Sequence, residues 1–459
     1  MARDKDNNLV GRRVAVGSAR LAAAVSAPSY AQRMTSSMQF ELAFDEGSVK
    51  PQRRSNTTAF VDNMVLPVHR WFRYSAGFSA EWAQKTIRDV GASRVVDPFA
   101  GSGTTLLAAE SENAESIGVD IHPFVARVAK AKLAWRTEPS EVVALAERVL
   151  ESAKALDRVE LPDSPLMSKC FEEDSLERLT RVRDALALQG GDEEVHSVVW
   201  LALVSILRVC SPVGTAQWQY VLPNKSKSRV AEPYSAFLER TRMFASDMRV
   251  RQSEVTGPAA SFRQEDARVL ESLPDNWADL VLTSPPYANN YDYADAARLE
   301  MSFLGEVSGW GDLKPLRDIL MKSCSQQMTR FDPSEAFESP LLEPIREPLI
   351  AAYEELDAVR KTKGGRKAYH SMILGYFLDS AKVLNSLRRV CRPGARMCWV
   401  VGDSAPYGVY IPVDDWLGKL AVSLGFKDYS FETVRGRNEK WKNRKHQVPL
   451  KEGRLWIEG

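Results

Sequence analysis

Arg94-Val95-Val96-Asp97-Pro98-Phe99-Ala100-Gly101-Ser102-Gly103-Thr104-Thr105-Leu106 reads as a strand, a glycine-rich turn and the start of a helix. The β-branched pair favours extended chain, and Pro98 ends it because proline has no N–H to give to a sheet. Gly101 and Gly103 permit a tight turn and let a ligand approach the backbone closely. The helix that follows, through Leu106, Leu107 and Ala108, directs its unbonded N–H groups at that ligand. Nineteen residues after Gly101, Asp120 closes the run Ser116-Ile117-Gly118-Val119. An acidic residue at the end of a second strand, at about that spacing, suits two ribose hydroxyls. No Gly-Lys-Ser/Thr follows the glycines, so a triphosphate-binding loop is excluded. Leu106 occupies the place of the third glycine in a dinucleotide fingerprint. A smaller nucleoside ligand without a pyrophosphate fits better.

A second stretch, Asp279-Leu280-Val281-Leu282-Thr283-Ser284-Pro285-Pro286-Tyr287, is an apolar strand that stops abruptly. Pro285 and Pro286 cannot continue a sheet, so the chain leaves it stiffly, with Ser284 and Tyr287 at the carboxyl end. In open α/β sheets ligands bind at that end.

The 459 residues, 44% hydrophobic and 26% charged, fit a soluble globular chain. A net charge of +1 gives no global basic field, so any nucleic-acid contact must come from local patches. Cys170, Cys210, Cys324, Cys391 and Cys398 show no zinc spacing and read as reduced thiols, which places the protein in the cytoplasm. No metal ligand set is visible, and no apolar run is long enough to span a membrane. Arg20 interrupts the apolar part of a faint export-like segment after Gly11-Arg12-Arg13, so residues 1–55 are expected to be a flexible tail or arm.

A short helix is expected over Ser79–Val90 with Ser79 as N-cap. Residues 136–258 read as helical. Within them Trp218, Tyr220, Lys225, Lys227 and Arg229, followed by Arg240, Arg242, Arg249 and Arg251, set aromatics beside cations, as a nucleic-acid surface would. Strands are expected near 260–263, 279–283, 396–403, 428–434 and 453–457. A strong helix covers about 367–390, with Ile373, Phe377, Leu384 and Leu387 on one face. Residues 306–362 read as irregular or weakly helical. Alternating β and α elements with near-continuous apolar strands mean an α/β fold, its parallel sheet covered on both faces. Lys361, Lys363, Arg366 and Lys367, and the basic run from Arg435 to Lys445, are solvated faces or further nucleic-acid contacts.

Asp97-Pro98-Phe99-Ala100-Gly101-Ser102-Gly103-Thr104-Thr105 and Thr283-Ser284-Pro285-Pro286-Tyr287 together resemble the motifs of S-adenosylmethionine-dependent DNA amino-methyltransferases. These methylate cytosine N4 or adenine N6. The resemblance covers roughly 60–100 and 260–435. It implies a class I methyltransferase fold, a Rossmann-like seven-stranded sheet with its last strand antiparallel, here with a helical insertion domain. It also implies S-adenosyl-L-methionine as cofactor and double-stranded DNA as partner, and leaves room for a cognate restriction or defence-system partner. By the same resemblance Asp97, Phe99, Gly101 and Gly103 hold the methionine part of the cofactor. Asp120 takes the ribose hydroxyls, Ile121 lies against the adenine, and Asp266 with the backbone of Ala267 receives the adenine amino group. His69 to Phe78 would close the cofactor pocket.

The division of the chain follows. Residues 56–135 form the cofactor-binding first part of the methyltransferase domain. Residues 136–258 are the helical insertion and candidate target-recognition region. Residues 259–305 carry the catalytic loop, 306–362 form a second insertion, and 363–459 complete the domain.

The chemistry asks for few groups. An exocyclic amine is a poor nucleophile because its lone pair is delocalised into the ring. Ser284 Oγ and the Pro285 carbonyl, held rigidly with Pro286, can accept its hydrogens and draw the nitrogen toward tetrahedral geometry. Tyr287 can stack on a base turned out of the duplex. Direct transfer then needs positioning and electrostatics. Ser284 in the first motif position leans toward cytosine N4, because the family's adenine enzymes more often carry an acidic or amide residue there. Cytosine C5 chemistry needs a cysteine nucleophile, which that family presents after a proline, and the chain has no Pro-Cys pair. An RNA-base methyltransferase is an alternative; such enzymes usually carry Asn or Asp before Pro-Pro-Tyr and an added N-terminal RNA-binding domain. A non-catalytic nucleic-acid-binding protein on the same scaffold is another.

Overall fold

The computed structural model describes residues 60–74, 77–215, 221–365, 367–437 and 448–459, without side chains at 60, 61, 215 and 221–225. The expectations for the 1–55 arm, for Trp218, Tyr220 and Arg366, for the side chain of Lys225, and for the basic run beyond Arg437 lie outside the described residues.

The strands, in chain order, are β1 (Arg94–Asp97), β2 (Glu115–Val119), β3 (Val213–Thr215), β4 (Val221–Ser226), β5 (Ser261–Arg263), β6 (Ala278–Thr283), β7 (Cys391–Gly402), β8 (Asp428–Arg437) and β9 (Leu450–Glu458). Seven of them form one sheet in the order β5-β2-β1-β6-β7-β9-β8. Pairing is parallel from β5 through β7, while β9 runs antiparallel to both β7 and β8. This is the seven-stranded, Rossmann-like class I methyltransferase sheet. From β1 the chain winds outward through β2 and β5. It then returns to β6 on the other side of β1, so the loops after β1 and β6 diverge and leave a crevice between them.

Alternation along the strands covers both faces. Val95, Leu280, Leu282, Cys398 and Val400 pack with residues of the helices Ala80–Val90 and Thr104–Ser111. Their neighbours Val96, Val281, Met397, Trp399 and Val401 pack with the helices Tyr369–Val390 and Val413–Ser423. Ser79 caps the first of these helices, accepting from Trp82 N–H at 3.4 Å. Ile373, Phe377, Leu384 and Leu387 are wholly buried, as their spacing predicts.

Two carboxylates clamp β1 to β6. At the amino end Asp279 accepts from Ser93 N–H (3.0 Å), Ser93 Oγ (2.7 Å) and Arg94 N–H (2.9 Å). At the carboxyl end Asp97 accepts from Thr283 Oγ1 at 2.6 Å.

Residues between β2 and β5 form a helical layer whose longest member is Pro233–Glu254. Two expectations are corrected here. The layer is not wholly helical, since β3 and β4 form an antiparallel hairpin, consistent with the β-branched and apolar residues at Val213, Thr215, Val221 and Leu222. The segment 306–362 is not irregular throughout, because Arg346–Thr362 is a regular helix burying Leu349, Ala352 and Leu356. Pro340, Pro344 and Pro348 disguise it. Pro348 falls in its first turn, where the missing N–H removes no intrahelical bond.

The helix Pro233–Glu254 holds two neighbours through residues one turn apart. Buried Asp247 accepts from Val68 N–H (3.2 Å), Arg70 Nε (2.9 Å), Arg70 Nη2 (2.6 Å) and Trp71 Nε1 (3.0 Å). Trp71 stacks on Phe244, ring centroids 4.3 Å apart. Buried Arg251 donates to the Leu107 carbonyl (2.7 Å) and to Glu110 (3.0 Å), both on the helix Thr104–Ser111. It is therefore an internal cation and not part of an exposed nucleic-acid surface.

Replacing Asp247→Ala strands the Arg70 charge and the buried Trp71 and Val68 donors. The expected loss is about 3–5 kcal/mol of stability, read as a lower denaturation midpoint. A midpoint equal to the wild type would refute the clamp.

Candidate active site

The loops after β1, β2, β5 and β6 line a cleft at the carboxyl ends of the strands. Asp97, Phe99, Gly101, Asp120, Ile121, Asp266, Ala267, Ser284 and Pro286 all line it. Gly103 stands just behind, in the left-handed region (φ 85°) as the N-cap of the helix Thr104–Ser111. Pro285 is buried, and Tyr287 is half-buried beyond the cleft lining.

Asp97 binds the site together. Its Oδ2 lies 2.6 Å from Thr105 Oγ1, and its Oδ1 takes Thr283 Oγ1 at 2.6 Å and Phe99 N–H at 3.1 Å. Thr105 Oγ1 also lies 3.1 Å from the Leu282 carbonyl. Asp97, Thr105 and Thr283 are almost wholly buried. One carboxylate therefore fixes the glycine-rich loop, the helix behind it and the start of the Ser-Pro-Pro-Tyr loop. Burial pushes Asp97 up to about 6, against the bonds from Thr105, Thr283 and Phe99, which favour its charge.

Asp120 closes the glycine-rich loop from the next strand. Its Oδ2 accepts Gly101 N–H at 3.0 Å and its Oδ1 accepts His122 N–H at 2.9 Å. Burial raises it also to about 6. Gly101 has φ +53°, and a Cβ there would stand 2.8 Å from Tyr74 Cε1. Glycine thus serves both the turn and the approach of the Tyr74 ring.

Tyr74, Gly77 and Phe78 line the cleft from the aromatic stretch before the glycine-rich loop, within the His69 to Phe78 segment expected to close it. Tyr293, at the start of the helix Tyr293–Ala296, lines it too and carried no signal of its own in the sequence. Ser102 Oγ is buried at the cleft with no hydrogen-bond partner among the described residues, as a group awaiting a ligand would be. Arg268 grips Asp266 with Nε (2.9 Å) and Nη2 (2.6 Å) and reaches Asp379 at 3.0 Å. Asp379 also accepts Lys322 N–H at 2.9 Å, which fixes the neighbouring Leu320 and Met321 in the cleft wall. An arginine two residues after the aspartate was the available clue.

The target loop carries Tyr287, and Tyr293 opens the short helix Tyr293–Ala296 that follows it. Burial raises both phenols well above the usual tyrosine range. Away from the cleft, Lys227 Nζ turns inward to the Arg208 carbonyl, while Arg229 is exposed. Among the described residues no cluster of three or more His, Cys, Asp or Glu is placed to hold a metal ion, and no helix is long and apolar enough to cross a membrane.

Comparison with known proteins adds to this geometry. A family profile described as DNA methylase matches residues 43–131, the part that carries Asp97 to Asp120. The chain is 27% identical over 428 residues to the type II methyltransferase M.BsoBI of Geobacillus stearothermophilus, covering 82% of each chain. It is 24% identical over 401 residues to M.AvaI of a Nostoc strain, covering 80% of this chain and 81% of that one. It is 22% identical over 363 residues to M.MvaI of Kocuria varians, covering 73% and 75%. These similarities support an amino-methyltransferase, and S-adenosylmethionine is the donor that such an enzyme implies.

The two raised carboxyls predict a pH dependence of cofactor binding. On the expectation that Asp120 takes the ribose hydroxyls, which donate to an ionised carboxylate, a proton on Asp120 competes with them. Affinity for S-adenosylhomocysteine, followed by calorimetry, should be flat above pH about 7 and fall as pH drops through about 6. Asp120→Asn should bind more weakly and lose most of that fall. An affinity that rises toward acid would contradict the assignment.

Proposed function

We propose that the chain is an S-adenosylmethionine-dependent DNA methyltransferase acting on an exocyclic amino group, with cytosine N4 as its target. The observation that carries this reading is the joining of two loops on one carboxylate. Asp97 binds the nucleoside cleft, and through Thr283 it also sets Ser284 and Pro286 in the wall of the same cleft. The type II methyltransferases that the chain resembles over most of its length support DNA as the substrate.

The cleft fits the cofactor. Asp120 keeps oxygen lone pairs for the ribose hydroxyls, Ile121 offers an apolar wall for the adenine, and Asp266 with the Ala267 backbone meets its amino edge. Phe99, Gly101 and the unpartnered Ser102 hydroxyl face the remaining part. S-adenosylmethionine, when bound, supplies an electrophilic methyl group on a sulfonium. Asp97 and Asp120 give that end of the cleft negative charge above pH about 6, which suits a cation.

The protein's remaining task is to hold the amine. Ser284 Oγ and the Pro285 carbonyl accept its two hydrogens, so its lone pair turns toward the methyl group. The Tyr287 ring stacks on the base. After transfer the nitrogen is cationic, and the same two acceptors steady it until a proton leaves. Ser284, a neutral acceptor, supports cytosine N4 over adenine N6.

The test is to incubate the protein with methyl-labelled S-adenosylmethionine and duplex DNA, digest, and identify the labelled nucleoside. N4-methylcytosine is expected. N6-methyladenine would reassign the target, and label found only in RNA would sink the proposal. Tyr287→Ala should lower kcat/KM for DNA by about ten- to a hundred-fold, the equivalent of roughly 1–3 kcal/mol of base stacking. Cofactor affinity should stay at the wild-type value. Collapse of cofactor binding would show that Tyr287 has another role.

A further inference from the structure

The loop after β7 is tied to the target loop. Ser404 Oγ donates to the Ala288 carbonyl, one residue past Tyr287. Ile411 N–H donates to the Ser404 carbonyl at 2.8 Å and closes the loop on itself. Between these anchors Tyr407 stands in the left-handed region, φ 54°. A tyrosine rarely adopts it, and such strain persists where the surroundings impose it, often at functional sites.

The ring that this conformation presents is half-buried against Tyr369, with centroids 4.8 Å apart at 68°. Tyr369 begins the helix Tyr369–Val390, and Lys367 Nζ lies 5.7 Å from its ring. Upstream, Gly364 and Gly365 turn the chain out of the helix Arg346–Thr362. Lys361 is paired with Asp357 at 2.8 Å. Lys363 and Lys367 are exposed and form no ion pair among the described residues. An aromatic pair, with Lys367 beside one ring and exposed Lys363 four residues upstream of it, thus stands next to the loop that the target base would enter. No part of the cofactor cleft or of the amine-holding set uses them.

We propose that Tyr369 and Tyr407, with Lys363 and Lys367, form a surface for the DNA strand beside the extruded base. One neighbouring base stacks on the tyrosines, and the backbone phosphates lie on the lysines. This rests on the reading of DNA as the substrate. The mix of a π-face and point cations fits a nucleic-acid strand. A protein partner would more often be met by an apolar patch with a polar rim.

The test measures anisotropy of a short fluorescein-labelled duplex, cut from DNA that the wild type methylates, with S-adenosylhomocysteine present. Tyr407→Gly removes the ring and keeps the backbone, since glycine adopts positive φ freely. It should weaken binding about ten-fold. Lys363→Gln with Lys367→Gln should reduce the slope of log affinity against log salt by about 1.8, near 0.9 for each phosphate contact. Both should bind S-adenosylhomocysteine as the wild type does. Wild-type affinity in the tyrosine variant, or a wild-type slope in the lysine variant, would overturn the inference. So would a wild-type dimer that these substitutions dissociate. Failure of the wild type itself to bind or methylate DNA would instead overturn the reading of function beneath it.

Discussion

The Asp97 carboxylate is the constraint on which the site depends. It is buried between β1 and β6, the two parallel strands at which the order of strands along the sheet reverses. Thr105 Oγ1 and Thr283 Oγ1 each lie 2.6 Å from it. Loops at a switch point diverge, which makes a crevice but leaves its walls unregistered. A carboxylate has two oxygens and can bind both walls at once. Its desolvation is unfavourable, as the rise to about 6 indicates, and the three donors offset it. That arrangement relates the glycine-rich loop to the Ser-Pro-Pro-Tyr loop through very few rotatable bonds. Transfer between two bound molecules depends on such registration.

The helical layer between β2 and β5 extends the same logic outward. Asp247 holds the stretch Val68–Trp71 that leads to Tyr74 and Phe78, while Arg251 holds the back of the helix Thr104–Ser111. Both belong to one face of one helix. Lys132 adds a third tie, donating to the His69 carbonyl at 3.0 Å from within the core. Two walls of the cleft therefore rest on this layer, which serves as a structural support of the site.

Much of this was legible in the sequence, for physical reasons. Glycines at 101 and 103, an acid at 120 and prolines at 285 and 286 act through the local backbone, and local constraints show in local sequence. The strands announced themselves by β-branched runs, and the helix Tyr369–Val390 by its apolar spacing. Partners distant in the chain were not legible. Nothing near Asp97 names Thr283, and nothing near Arg70 names Asp247. Arg251 looked like one of several surface cations, because a buried arginine is recognisable only once its acceptors are placed. The helix Arg346–Thr362 hid behind prolines that its first turn tolerates, and the β3–β4 hairpin sat inside a stretch whose average was helical.

The most direct test of the central claim isolates the Thr283 hydroxyl. Thr283→Val keeps the shape and removes one donor from Asp97, while Thr283→Ser keeps the donor. Single-turnover methyl transfer should slow by about ten-fold or more in the valine variant, as expected where a buried charge loses a bond of about 1.5–3 kcal/mol. The serine variant should recover most of the rate, and both should bind S-adenosylhomocysteine nearly as the wild type does. A valine variant that transfers methyl at the wild-type rate would contradict the account, because the two loops would then be registered without the bond that joins them.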